Sequence, residues 1–121
     1  MLPRNVLVVE DENDLSVVFV SILETLGFRG TVAKNAETAK LLLQKNQYDV
    51  LIIDLSLPDT NGVELYKQII STKPNYKGSV IFTSGGAAHD ELNQIIQKDG
   101  NTFLSKPFSI NQFKKILNHW I

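Results

Sequence analysis

The sequence predicts a doubly wound α/β fold: a five-stranded parallel sheet in the order 2-1-3-4-5 with five helices. Two observations carry this expectation. Short apolar runs recur along the chain and are continuous rather than alternating, which is the pattern of strands covered on both faces. Segments of helical period lie between them, and strict alternation of strand and helix requires right-handed crossovers, hence a parallel sheet with helices on both sides.

The first strand is Val6-Leu7-Val8-Val9. Leu15, Val18, Phe19, Ile22, Leu23 and Leu26 then repeat at threes and fours along one helix face, and Gly27 stops that helix. A weaker strand covers Phe28 to Ala33, and Asn35 is placed to cap the next helix. Val50-Leu51-Ile52-Ile53 is the third strand. A helix from about Gly62 to Thr72 follows, closed by Pro74, and Asn61-Gly62 ahead of it predicts a tight turn because both residues tolerate positive φ.

Val80-Ile81-Phe82 is the fourth strand, and a helix from about His89 to Lys98 follows it, with Gly100 behind. The intervening Gly85-Gly86-Ala87-Ala88 suits either the mobility of a switch or an undemanding turn. Thr102 to Leu104 is the last strand. Ser109 and Gln112 have capping-box spacing ahead of Phe113 and Leu117, and this helix is expected to run to Trp120 and Ile121.

A chain of 121 residues that is 43% hydrophobic has the size of one domain with a real core, so residues 1–121 are expected to form a single domain with no appended output domain. Lys plus Arg number 12 against 13 for Asp plus Glu, and a net charge of −1 offers no footprint for nucleic acid or an anionic membrane. The absence of cysteine excludes disulfides, thiolate metal sites and cysteine nucleophiles. Near the N-terminus the apolar run is far short of a signal sequence or membrane span, so a soluble cytoplasmic protein is expected.

In open parallel sheets, ligands bind outside the carboxyl ends of the strands. There the chain places Glu10-Asp11-Glu12, Asp54, Thr83-Ser84-Gly85 and Ser105-Lys106-Pro107. Converging carboxylates repel one another unless a cation joins them, and hard oxygen ligands select Mg²⁺ over zinc. Mg²⁺ needs only one or two protein carboxylates and commonly takes phosphate oxygens as further ligands, which Asp11 and Asp54 suit. Lys106 supplies a positive charge and Thr83 a hydroxyl for a transferring phosphoryl group, with Asp54 the natural nucleophile.

Val8-Val9-Glu10-Asp11-Glu12, Ile53-Asp54-Leu55-Ser56-Leu57-Pro58, Ile81-Phe82-Thr83-Ser84 and Leu104-Ser105-Lys106-Pro107-Phe108 resemble, in order, the four signatures of the two-component response-regulator receiver family, whose fold is flavodoxin-like. The resemblance implies that Asp54 is the phosphoacceptor, that Asp11, Asp54 and the backbone carbonyl of Ser56 hold Mg²⁺, and that Glu10 supports the metal largely through water. It implies that Thr83 and Lys106 contact the phosphoryl group, that Thr83 and Phe103 form the switch, and that the Lys106-Pro107 bond is cis. The implied donor is a histidine kinase or a histidine phosphotransfer protein, docking at helix 1 around Leu15. An output protein or domain of unknown identity would read the face of helix 4, strand 5 and helix 5, and a phosphorylation-dependent dimer is compatible with this. Such a domain catalyses its own phosphorylation and dephosphorylation and turns over no separate substrate. Ser56 and Ser84 flank the phosphoryl site in the family pattern and are expected to tune hydrolysis. The chain departs from the pattern with Asn61-Gly62 for the frequent Asp-Gly and Ser84 for the frequent Ala, neither of which removes a reacting group.

Each signal has a plain alternative when taken singly. Glu10 to Asp14 could be the acidic start of a helix, Asp54 a turn cap, Lys106 a solvated strand end, Thr83 an ordinary strand residue and Phe103 a core aromatic. His89 and His119, without a second ligand at metal spacing, read as helix-surface residues. A flavodoxin-like cofactor binder would offer hydroxyl and glycine donors where Glu10, Asp11 and Glu12 repel phosphate, and an aspartate-dependent phosphatase would carry Asp-x-Asp after strand 1. The remaining alternative is a receiver-shaped interaction adaptor that takes no phosphate, which would be expected to lack one of the reacting groups.

Overall fold

The computed structural model describes residues 4–86 and 89–120. In chain order it contains β1 (Arg4–Val9), α1 (Asn13–Thr25), β2 (Phe28–Ala33), α2 (Ala36–Lys45), β3 (Val50–Asp54) and α3 (Gly62–Thr72). After a 3₁₀ turn at Pro74–Tyr76 come β4 (Val80–Ser84), α4 (Asp90–Asp99), β5 (Thr102–Ser105), α5 (Ile110–Leu117) and a 3₁₀ turn at Asn118–Trp120. The five strands form one sheet in the order β2-β1-β3-β4-β5, and every neighbouring pair is parallel. The predicted fold class is therefore the observed one.

Both faces of the sheet are covered, which is why its strands read as unbroken apolar runs. Side chains alternate across a strand, so Leu7, Val9, Leu51, Ile53 and Phe82 pack on one side with residues of α2, α3 and α4 such as Leu43, Leu65 and Leu92. Val6, Val8, Val50, Ile52 and Ile81 pack on the other with Phe19 and Leu23 of α1 and Phe113 and Leu117 of α5. Phe19 meets Phe113 edge-on at 5.1 Å between ring centroids, joining α1 to α5.

The helix starts obey local chemistry. The Asn35 side chain accepts from the Thr38 N–H at 2.8 Å, and both hydrogen bonds of the capping box between Ser109 and Gln112 are formed. His89 is exposed, and it is also the N-cap of α4, with Nδ1 accepting from the Leu92 N–H at 3.3 Å. Gly27 and Gly100 close α1 and α4 at φ 88° and 76°.

Two expectations are corrected. The Asn61-Gly62 step needs no positive φ: Asn61 has φ −89°, its side chain caps α3 through the Glu64 N–H, and Gly62 is absent from the positive-φ residues. Glycine is required for another reason, since a Cβ there would lie 2.4 Å from the Asp54 carbonyl oxygen. The last α-helix stops at Leu117 and tightens into the 3₁₀ turn, and Ile121, like Ala87 and Ala88, lies outside the described residues. Among the described residues no helix is long and apolar enough to cross a membrane.

Candidate functional site

Strand register assembles the site. Asp54, the last residue of β3, pairs with Thr83 on β4, and Ser84 pairs with Ser105, the residue before Lys106. Glu10 follows β1 directly, and its N–H is held by the Ala33 carbonyl of β2 at 3.0 Å. The Lys106 N–H donates to the Ser84 carbonyl at 2.8 Å, and the Lys106-Pro107 peptide is cis.

The carboxylates and the ammonium form one connected group. Lys106 Nζ donates to Glu10 Oε1 at 2.9 Å and to Asp54 Oδ2 at 3.0 Å. The second oxygens are also engaged: Asp54 Oδ1 accepts from the Ser56 N–H at 3.0 Å and Glu10 Oε2 from the Glu12 N–H at 3.2 Å. Glu10 is 1% exposed and Asp54 5%, whereas Asp11 is open to solvent. Burial pushes the Glu10 carboxyl above its ordinary pKa, only partly offset by Lys106 and the Glu12 amide. Burial pulls the Lys106 ammonium down, but its hydrogen bonds to Glu10 and Asp54 outweigh this and hold it above its ordinary pKa. Lys106 thus stays cationic at neutral pH.

Glu10, Asp11 and Asp54 each offer an oxygen, and these three atoms lie within 4.8 Å of one another. Three hard donors at that spacing, one facing solvent, with the lysine charge to one side, fit a divalent cation that retains several waters, as Mg²⁺ does.

Thr83 is fully buried, and its hydroxyl oxygen has no hydrogen-bond partner among the described residues. Ser56 is exposed, bridged to Asn61 across the loop after β3. The half-buried Ser84 uses its hydroxyl to accept from the Gly86 N–H at 3.0 Å. Phe103 stands apart from the acidic group, half-buried on β5 against the α2–α4 side of the core, opposite Phe82 in the register.

An apolar groove borders the site, lined by Leu15 and Val18 of α1 together with Glu12, Lys106, Pro107 and Phe108. Sequence reasoning missed one residue altogether. Asp59, in the β3–α3 loop, accepts from the Ala36 and Glu37 amides that open α2, partners 23 and 22 residues away that no local pattern announces.

The chain is thus a doubly wound domain with an open parallel sheet whose carboxyl edge carries an acidic pocket, a bridging lysine and a buried hydroxyl that is unpartnered among the described residues. The chain belongs to the response regulator receiver domain family, whose model matches residues 6–118. It is 29% identical over 118 residues to the response regulator receiver protein CpdR of Brucella abortus, covering 94% of this chain and 97% of that protein. The receiver domain (CheY-like) from Methylobacillus flagellatus superposes with a TM-score of 0.83 at 30% identity, covering 97% of this chain and 98% of that one. The receiver domain of the sensor histidine kinase PA1611 from Pseudomonas aeruginosa, with a magnesium ion coordinated in its active-site cleft, has the same fold, with a TM-score of 0.81 at 24% identity and coverage of 98% and 97%.

Proposed function

We propose that this receiver domain is a Mg²⁺-dependent switch that accepts a phosphoryl group on Asp54 from a histidine kinase or a histidine phosphotransfer protein in the cytoplasm. The single observation that carries this reading is the Lys106 ammonium joining Glu10 and Asp54 inside a cluster of three carboxylates at the sheet edge.

Asp11, Asp54 and the Ser56 carbonyl would hold Mg²⁺, with Glu10 behind them through water. The metal, when bound, neutralises carboxylate charge and that of the phosphoryl oxygens. Asp54 attacks phosphorus through a carboxylate oxygen, the P–N bond of the phosphohistidine breaks, and the imidazole leaves with the electron pair and takes up a proton. Lys106 offsets negative charge on the transferred group, a role its raised pKa suits. The buried, unpaired Thr83 hydroxyl is free to donate to a phosphoryl oxygen, and its movement would draw the half-buried Phe103 inward. The added charge biases a bistable face of α4, β5 and α5 toward its output partner. The groove at Leu15, Val18 and Phe108 suits the donor's apolar surface, since it opens beside Lys106. Ser56 and Ser84 control how water reaches the acyl phosphate.

The test is intact mass after incubation with acetyl phosphate, with Mg²⁺ and with excess chelator, on the wild-type chain and Asp54→Asn. One metal-dependent adduct of a single phosphoryl group, absent from the variant, is expected. No adduct, or one indifferent to Mg²⁺ or to Asp54, favours an interaction adaptor instead. Followed over time, the adduct is expected to decay at a different rate when Ser56 or Ser84 is replaced, and unchanged decay removes both from the tuning role.

A further inference from the structure

The loop joining β3 to α3 is pinned to the sheet at Leu55 and closed at its base. The Leu55 N–H donates to the Thr83 carbonyl at 2.9 Å, and the Gly62 N–H returns to the Leu55 carbonyl at 2.9 Å. Between them the loop closes on itself through the Leu57 N–H to Thr60 carbonyl bond and the Ser56–Asn61 bridge. Leu57 packs against the core from within the loop, and among the described residues the hydrogen bonds that tie the loop tip to another helix come from Asp59: Oδ1 accepts from the Ala36 N–H and Oδ2 from the Glu37 N–H, both at 3.0 Å.

Those two amides are among the donors that a helix start leaves unpaired, and Asn35 satisfies only the third, at Thr38. The first turn of α2 is thus shared between a local cap and a carboxylate from a distant loop. A two-point grip sets the plane of the carboxylate as well as its distance. The same amide bonds hold the Asp59 carboxyl below its ordinary pKa, as expected of an anion at the positive end of a helix.

We infer that Asp59 is a positioning residue for the metal: by clamping the loop tip to α2, it fixes the backbone that presents the Ser56 carbonyl. The inference rests on the reading of that carbonyl as a Mg²⁺ ligand. Mg²⁺ demands near-ideal octahedral geometry with bonds of about 2.0–2.1 Å, so a carbonyl on a loop free to shift is a poorer ligand even when every side-chain donor remains. Supports one step removed from a metal typically govern its affinity by about 10–100-fold.

Calorimetric titration of MgCl₂ into the full chain separates positioning from simple helix capping. Asp59→Ala is expected to weaken Mg²⁺ binding by about tenfold, the lower end of that range, and Asp59→Asn, which keeps one acceptor oxygen, by less. Asn35→Ala removes a cap from the same helix without touching the loop, so it should lower the urea midpoint yet keep wild-type Mg²⁺ affinity. Should Asp59→Ala fail to fold, Asp59→Asn against Asn35→Ala carries the same comparison. Equal affinity in the wild type and the Asp59 variants, or equal losses in the Asp59 and Asn35 variants, overturns the inference while leaving the phosphorylation reading intact. A wild-type chain that takes up no Mg²⁺ overturns the metal site and the inference with it.

Discussion

In the proposed switch, Thr83 is the residue at which stability and function pull apart. Among the described residues its hydroxyl is sealed in the core without a partner, and an unsatisfied buried donor costs about 1–3 kcal/mol. Replacing it with valine removes the polar atom at nearly constant volume. Thr83→Val is therefore expected to stabilise the metal-free, unphosphorylated chain by about 1 kcal/mol in urea unfolding, while abolishing the response of the α4–β5–α5 face to phosphoryl donors. A less stable variant would mean that the hydroxyl has a partner, such as water, in the resting state. Gly62 shows the same logic in its backbone: the Asp54 carbonyl occupies the space a side chain would need, so the turn into α3 is packed against the end of β3.

Among the helices, α4 has the fewest fully buried residues. It fully buries only Leu92, with Ile95 and Ile96 half-buried against the core, whereas α1 buries Ser16, Phe19, Ile22 and Leu23. At its start the cap from His89 is long at 3.3 Å and the Lys67–Glu91 pair to α3 is solvent-exposed, a kind of contact worth about 0–1 kcal/mol, so its firmest polar tie is the Tyr66–Asp99 bond at its far end. An element with so little buried apolar surface opens at low free-energy cost. Amide hydrogen exchange should show Asp90–Asp99 exchanging on the order of tenfold or more faster than the core of Asn13–Thr25, and equal protection would argue against α4 as the mobile part of the switch. In the proposed switch, phosphorylation biases such an element through modest differential contacts.

Across the whole molecule, one polar latch ties four segments together. Tyr66 of α3 donates to Asp99 at the end of α4 at 2.6 Å and accepts from the Asn101 side chain at 2.7 Å, and Asn101 in turn accepts from the Gly78 N–H before β4. Burial, followed by the Asp99 carboxylate, raises the phenol pKa well above the ordinary 10, so the folded state keeps this proton where the unfolded chain begins to lose it. Stability from Tyr66 is full below pH 10 and lost as pH rises above it, and the raised Lys106 pKa acts in the same direction above 10.5. The urea midpoint is thus expected to fall in alkali. Tyr66→Phe should lower it at pH 7 by a typical hydrogen bond's worth, about 1 kcal/mol, and flatten part of the alkaline fall, with the slope due to Lys106 remaining. An unchanged alkaline slope in that variant would remove Tyr66 from the effect.

The strand–helix alternation and the caps at Asn35 and Ser109 are legible in the sequence because those signals are local, with partners three or four residues apart, and the sheet order follows from the doubly wound rule for five alternating strands and helices. It also marked Glu10, Asp11, Asp54, Thr83 and Lys106, because a parallel sheet sends every strand's carboxyl end to one edge. Which of these groups touch is set by the packed fold. Lys106 meets Glu10 and Asp54 across separations of 96 and 52 residues, and Asp59 reaches the start of α2 across 23. The unpaired state of Thr83 and the contact that makes Gly62 necessary are likewise properties of the surroundings. Periodicity and propensity describe a residue with its near neighbours, whereas hydrogen bonds, burial and steric exclusion are made by whatever the crossovers bring beside it.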